Sequence, residues 1–147
     1  MGVSFPKSGT NLLRQVLAAF IRVAPFADRS FDVFAAFDAE TGAASTIADA
    51  LSFLAVLNPG DIAAAHFFAW PEVVERVCGS GYISYFIYRD PRDVVVSHVF
   101  YVTKMAPEHS HHQYYTEELR TFDERLRASI LGRPNIDQDF PDIGKRF

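Results

Sequence analysis

The amino-acid sequence predicts an α/β fold in three layers, a parallel sheet with helices on both faces. Two observations carry that expectation. Short apolar segments alternate along the chain with stretches in which apolar residues recur every three or four positions, as strands alternating with helices do. Residues 82–88, an aromatic and β-branched run between turn signals, have the character of a central strand covered on both faces. The 147 residues, 49% hydrophobic and 22% charged, suffice for one packed domain, so a single domain over 1–147 is expected.

In chain order, residues 2–5 form a strand stub that runs directly into Pro6-Lys7-Ser8-Gly9-Thr10. From Asn11 to Ala24 the positions Leu12, Leu13, Val16, Leu17, Phe20 and Ile21 mark a helix with one buried face, capped by Thr10 or Asn11. Residues 25–41, rich in Phe, Ala and Asp without a period, are expected to form an irregular connection. Ser45 precedes a helix through Ile47, Leu51, Leu54 and Leu57, which Asn58, Pro59 and Gly60 end. Residues 62–66 suit a buried strand, and Pro71 opens a helix carrying Val73, Val74 and Val77. After the turn Gly79-Ser80-Gly81 comes the run 82–88. Asp90 as N-cap, with Pro91 at the first helical position, then opens a helix reaching Met105. Thr121 and Glu124 form a capping box for a last helix ended by Gly132 and Pro134. Residues 141–147 have the look of the first turns of another helix, and with the abrupt start they suggest a truncated chain.

A net charge of −4 and a pI near 5.7 leave no basic excess for a broad nucleic-acid or anionic-membrane surface. Any phosphate must be met locally, and no nucleic-acid partner is expected. Cys78, the sole cysteine, excludes an intrachain disulfide and agrees with a reducing compartment. Arg14, Gln15 and Arg22 break the apolar stretch 12–27, so no membrane span is expected and the location is read as cytoplasmic. His109, His111 and His112, with His98 nearby, lack carboxylate or cysteine companions at metal-ligand spacing. They are expected to form a polar loop, with no metal site.

Two segments carry phosphate-binding chemistry. A strand, a tight glycine turn and a helix aim backbone N–H groups and the positive helix end at an anion. In the first turn Gly9 permits close approach, Lys7 adds a mobile charge, and Ser8, Thr10 and Asn11 add donors. The lysine precedes the glycine and the pattern G-x-x-x-x-G-K-[ST] is absent, which sets this loop apart from that of nucleotide triphosphatases. The second segment runs from Arg89 to Ser97, beyond the strand 82–88, where open α/β sheets place their ligand crevice. Arg89 offers a fork of donors, and eight helical residues span at most ~12 Å, so Arg89 and Ser97 can share one phosphate. Each segment alone also has a bland explanation, as a common turn or as an ion-pair cluster around a helix start.

Taken together, Ser4-Phe5-Pro6-Lys7-Ser8-Gly9-Thr10 resembles the 5′-phosphosulfate loop of sulfotransferases, and Tyr88-Arg89-Asp90-Pro91-Arg92-Asp93-Val94-Val95-Val96-Ser97 resembles their 3′-phosphate motif. Leu57-Asn58-Pro59-Gly60-Asp61-Ile62 with His66 is similar to the family's segment leading to its acceptor site. The resemblance implies a P-loop-like sulfotransferase fold, incomplete at its C-terminus because the family's Arg-Lys-Gly stretch has no counterpart. It implies 3′-phosphoadenosine 5′-phosphosulfate as co-substrate, held by Lys7, Ser8, Gly9, Thr10, Asn11, Arg89 and Ser97. It further implies Lys7 as the cation at the leaving oxygen, and His66 as the base for a small-molecule hydroxyl or amine acceptor. A sulfuryl group carries less charge than a terminal phosphoryl group, so no metal is called for. Two alternatives stand beside it: a kinase-like protein with an atypical phosphate loop, and a non-catalytic domain that kept the fold.

Overall fold

The computed structural model describes residues 1–23, 32–79 and 81–132. The chain folds as two compact units, one drawn from Met1–Ala36 and Ser45–Tyr88, the other from Phe37–Ala44 and Arg89–Phe147.

The first unit is α/β. Strands β1 (Gly2–Ser4), β2 (Asp32–Ala35), β3 (Ala63–His66) and β4 (Tyr85–Ile87) form a four-stranded, all-parallel sheet in the order β2-β3-β1-β4. Helix α1 (Thr10–Val23) covers one face: Leu13 and Leu17 pack on Ala64, with Phe20, Ile62 and Ile87 around them. Helices α2 (Ile47–Ala55) and α3 (Pro71–Cys78) cover the other, where Ala50, Leu54, Val73 and Val77 meet Ala63 and Ala65. The alternation of Ala63, Ala64 and Ala65 between faces is the period of two a strand imposes. Small residues also let the helices sit close. A Cβ added at Gly2, the register partner of Ala64, would collide with Leu17 Cδ1.

Pro71, Pro91 and the Thr121 box start their helices as predicted, whereas α1 begins at Thr10 itself, so that neither Thr10 nor Asn11 is its cap and the Gly9 carbonyl accepts the first-turn Leu13 N–H. Thr46 caps α2, closing a capping box with Asp49, and the Ser45 hydroxyl before it donates to the Ala35 carbonyl. The stretch 25–41, predicted to be irregular, contains β2; residues 24–31 are outside the described residues. The run 82–88 is not a central strand. Three of its residues pair, because β1 offers three partners, and β4 forms the edge of the sheet among the described residues, with Phe86 64% exposed. A continuous apolar run reports burial potential, not rank in the sheet.

From Arg89 on, the described residues of the second unit are mostly helical. Asp90 caps α4 (Pro91–Phe100) by accepting the Arg92 N–H, with Pro91 at the first position as expected. The helix does not continue to Met105 in α form: residues Tyr101–Met105 wind as a π-helix, and a second π segment spans Tyr114–Glu118. Thr121 and Glu124 close the predicted capping box on α5 (Phe122–Leu131), and Gly132 at φ 81° ends it. Pro134 and residues 141–147 lie outside the described residues. The core joins Val99, Val102 and Tyr115, whose hydroxyl donates to the buried Ser129 Oγ at 3.0 Å. The rings of His98, His109 and His111 pack mutually at 5.1–6.4 Å. Among the described residues no three His, Cys, Asp or Glu side chains converge as a metal site, and no helix is long and apolar enough to cross a membrane.

Candidate functional site

Sheet topology selects one place in the first unit. The chain leaves β1 toward β2 on one side and leaves β3 toward β4 on the other, although β1 and β3 are neighbours. Crossovers of one hand that run in opposite directions put their helices on opposite faces, as α1 and α3 are. The carboxyl ends of β1 and β3 therefore flank the switch point, the ligand crevice of open parallel sheets. Residues 5–10 and His66 stand there.

The loop after β1 is held in an uncommon shape. Lys7 has φ +66° and Gly9 φ +110°, and a Cβ on Gly9 would come within 2.9 Å of Ile87 Cδ1. Glycine is demanded twice, by backbone and by space. Ser8 is buried; its N–H donates to the Phe5 carbonyl at 3.1 Å, and its hydroxyl donates to the Phe5 and Ile87 carbonyls. Of the residues expected to bind phosphate, Ser8 thus spends its donors on the loop and on β4. The Leu13 N–H closes the first helical turn on the Gly9 carbonyl. The amides ahead of Leu13 are the helix-start donors that lack an intrahelical partner. Lys7 is half-buried, and partial burial lowers its pKa. Asn11 is exposed on the first turn of α1.

His66 ends β3 against Ser4, the last residue of β1. Its Nδ1 lies 2.6 Å from the Ser4 carbonyl oxygen and 3.3 Å from Ser4 Oγ, which in turn lies 3.1 Å from Thr10 Oγ1. A carbonyl oxygen only accepts, so the network assigns the proton to Nδ1 and leaves the lone pair of the neutral ring on Nε2. Burial lowers the His66 pKa, the Ser4 carbonyl bond works against that, and the charge of Arg14 adds to the lowering. The ring is accordingly neutral at pH 7 and carries an acceptor nitrogen, the state a general base needs. The roles of Ser4 and Arg14 carry no sequence signal: a serine at a strand end and an arginine on a helix are commonplace.

Arg89 and Ser97 belong to the second unit. Arg89 Nε pairs with Asp93 Oδ2 at 3.4 Å, both half-exposed or more. Asp93 and Ser97, four residues apart on α4, share a helix face, and Ser97 is half-buried. Arg92 turns to the capping carboxylate, Nη2 to Asp90 Oδ2 at 2.6 Å, and its hydrogen bonds hold the Asp90 pKa down at about 2. The structure brings Ser4, Thr10 and His66 together around the glycine loop and puts Arg89 beside Asp93. The chain matches no protein-family model, no curated protein and no solved structure.

Proposed function

We propose that the chain is a sulfotransferase domain that binds 3′-phosphoadenosine 5′-phosphosulfate and serves a small hydroxyl or amine acceptor. The observation that carries this reading is the switch-point pairing of a positive-φ glycine loop at the start of α1 with a neutral imidazole whose Nε2 is left as acceptor. The residues fit such a donor: two positive-φ residues in one turn, Lys7 and Gly9, at the start of α1 suit a backbone that turns N–H groups toward an anion. When bound, the donor supplies the sulfuryl group. The loop amides and Thr10 bind its 5′-phosphate, Lys7 offsets charge at the leaving oxygen, and His66 Nε2 takes the acceptor's proton. Arg89 and Ser97 bind the 3′-phosphate, with Arg89 exchanging Asp93 for the ligand. That exchange costs little, because an exposed ion pair contributes at most about 1 kcal/mol.

Calorimetric titration of the wild type and Arg89→Ala with 3′,5′-bisphosphoadenosine and with adenosine 5′-phosphosulfate tests the assignment. The variant is expected to bind the bisphosphate ~10–100-fold more weakly, the worth of a charge-assisted hydrogen-bond pair, and the phosphosulfate within ~3-fold of wild type. Equal losses for both ligands would contradict the role given to Arg89.

A further inference from the structure

Three side chains at the switch point, His66, Ser4 and Thr10, form a chain of hydrogen bonds. Because the His66 Nδ1 proton is directed at the Ser4 carbonyl oxygen at 2.6 Å, Ser4 Oγ at 3.3 Å meets that nitrogen as an acceptor, the longer arm of a forked bond. A hydroxyl has one proton. Ser4 Oγ and Thr10 Oγ1 lie 3.1 Å apart, and because Ser4 is buried and Nδ1 is already a donor, Thr10 Oγ1 is the acceptor these side chains leave for the Ser4 proton. Ser4 at the middle of the chain is itself buried, and hydrogen bonds in such a chain polarise one another.

We propose that Ser4 is a positioning residue that couples the Thr10 hydroxyl, at the anion-binding end of α1, to the imidazole of His66. The relay runs from His66 Nδ1–H to Ser4 Oγ and from Ser4 Oγ–H to Thr10 Oγ1, and it holds the base nitrogen, Nε2, as the acceptor. Strengthening the far end strengthens the near end. An acceptor on the Thr10 proton leaves Thr10 Oγ1 a better partner for Ser4, whose oxygen then better supports a charged ring. Taken with the reading proposed above, on which this last step rests, an anion in the glycine loop raises the proton affinity of the base beside it. Loop occupancy and base strength become linked before any acceptor arrives. The relay itself stands independently of what the loop binds.

The test is a double-mutant cycle read by nitrogen-15 histidine NMR on the 147-residue chain without nucleotide, so that its failure is distinct from failure of donor binding. The His66 resonances are those lost in His66→Gln. Thr10→Val, which keeps the side-chain shape, is expected to increase the acid constant of His66 ~3-fold in the wild-type background and by less than ~1.3-fold in a Ser4→Ala background. Thr10→Ser, which keeps the hydroxyl, is expected to leave the constant unchanged. Arg14 on α1, the charged group acting on His66, is present in every variant and cancels in the cycle. The unmodified chain gives a second reading that requires no variant: the neutral ring carries its proton on Nδ1. A proton on Nε2, no effect of Thr10→Val, or an equal effect in both backgrounds would each overturn the proposal.

Discussion

At the scale of residues, Gly9 is the position where the loop's conformation and its surroundings agree most tightly. A side chain there meets both a φ of +110° and the Ile87 Cδ1 atom 2.9 Å from the added carbon. Gly9→Ala is therefore expected to destabilise the protein by about 2 kcal/mol, measured as a lowered midpoint in urea unfolding. An unchanged midpoint would mean that the loop relaxes freely and is not a preformed cradle. Lys7, Gly9, Thr10 and His66 are legible in the sequence as candidates because each belongs to a recognisable turn or strand end. The network between them is not. Ser4 acquires its role from the parallel pairing of β1 with β3, a contact between residues 62 positions apart that no local pattern announces. Ser8 shows the converse: a serine in a phosphate-type loop looks like a ligand donor, yet its hydroxyl fastens the loop to the Phe5 and Ile87 carbonyls.

At the scale of elements, capping chemistry is the most readable layer, since it depends on residues three apart. The Thr121 box on α5 closes as the sequence indicates, with Thr121 Oγ1 accepting the Glu124 N–H at 3.2 Å. Thr121→Ala is expected to cost about 1 kcal/mol in chemical denaturation and Thr121→Ser far less. Equal behaviour of the two would show that the cap is dispensable. Strand β2 escapes notice because Asp32-Val33-Phe34-Ala35 is four residues long and lies in a stretch without alternation. Strand β4 is legible as a strand but not as an edge, because its rank depends on partners elsewhere in the chain. The two π segments escape as well. A shift from four-residue to five-residue hydrogen bonding changes neither composition nor the apolar spacing enough to be seen.

At the scale of the whole molecule, the α/β class follows from alternating strand and helix patterns, and the first unit has it: a parallel sheet between α1 on one face and α2 with α3 on the other. Strand order lies beyond the sequence, and strand order is what singles out the ends of β1 and β3 as a ligand crevice. The Arg89–Ser97 segment is legible through its helix-start signals, whereas the choice of Asp93 rather than Asp90 as the partner of Arg89 emerges only from the folded helix start. A donor held through both of its phosphate ends is tested most directly by one calorimetric comparison. The chain is titrated with 3′,5′-bisphosphoadenosine and, separately, with ATP and magnesium under matched ionic strength. Binding of the bisphosphate at least ~10-fold tighter than ATP is the predicted result, and a preference for ATP, or binding of neither by a folded chain, would contradict it.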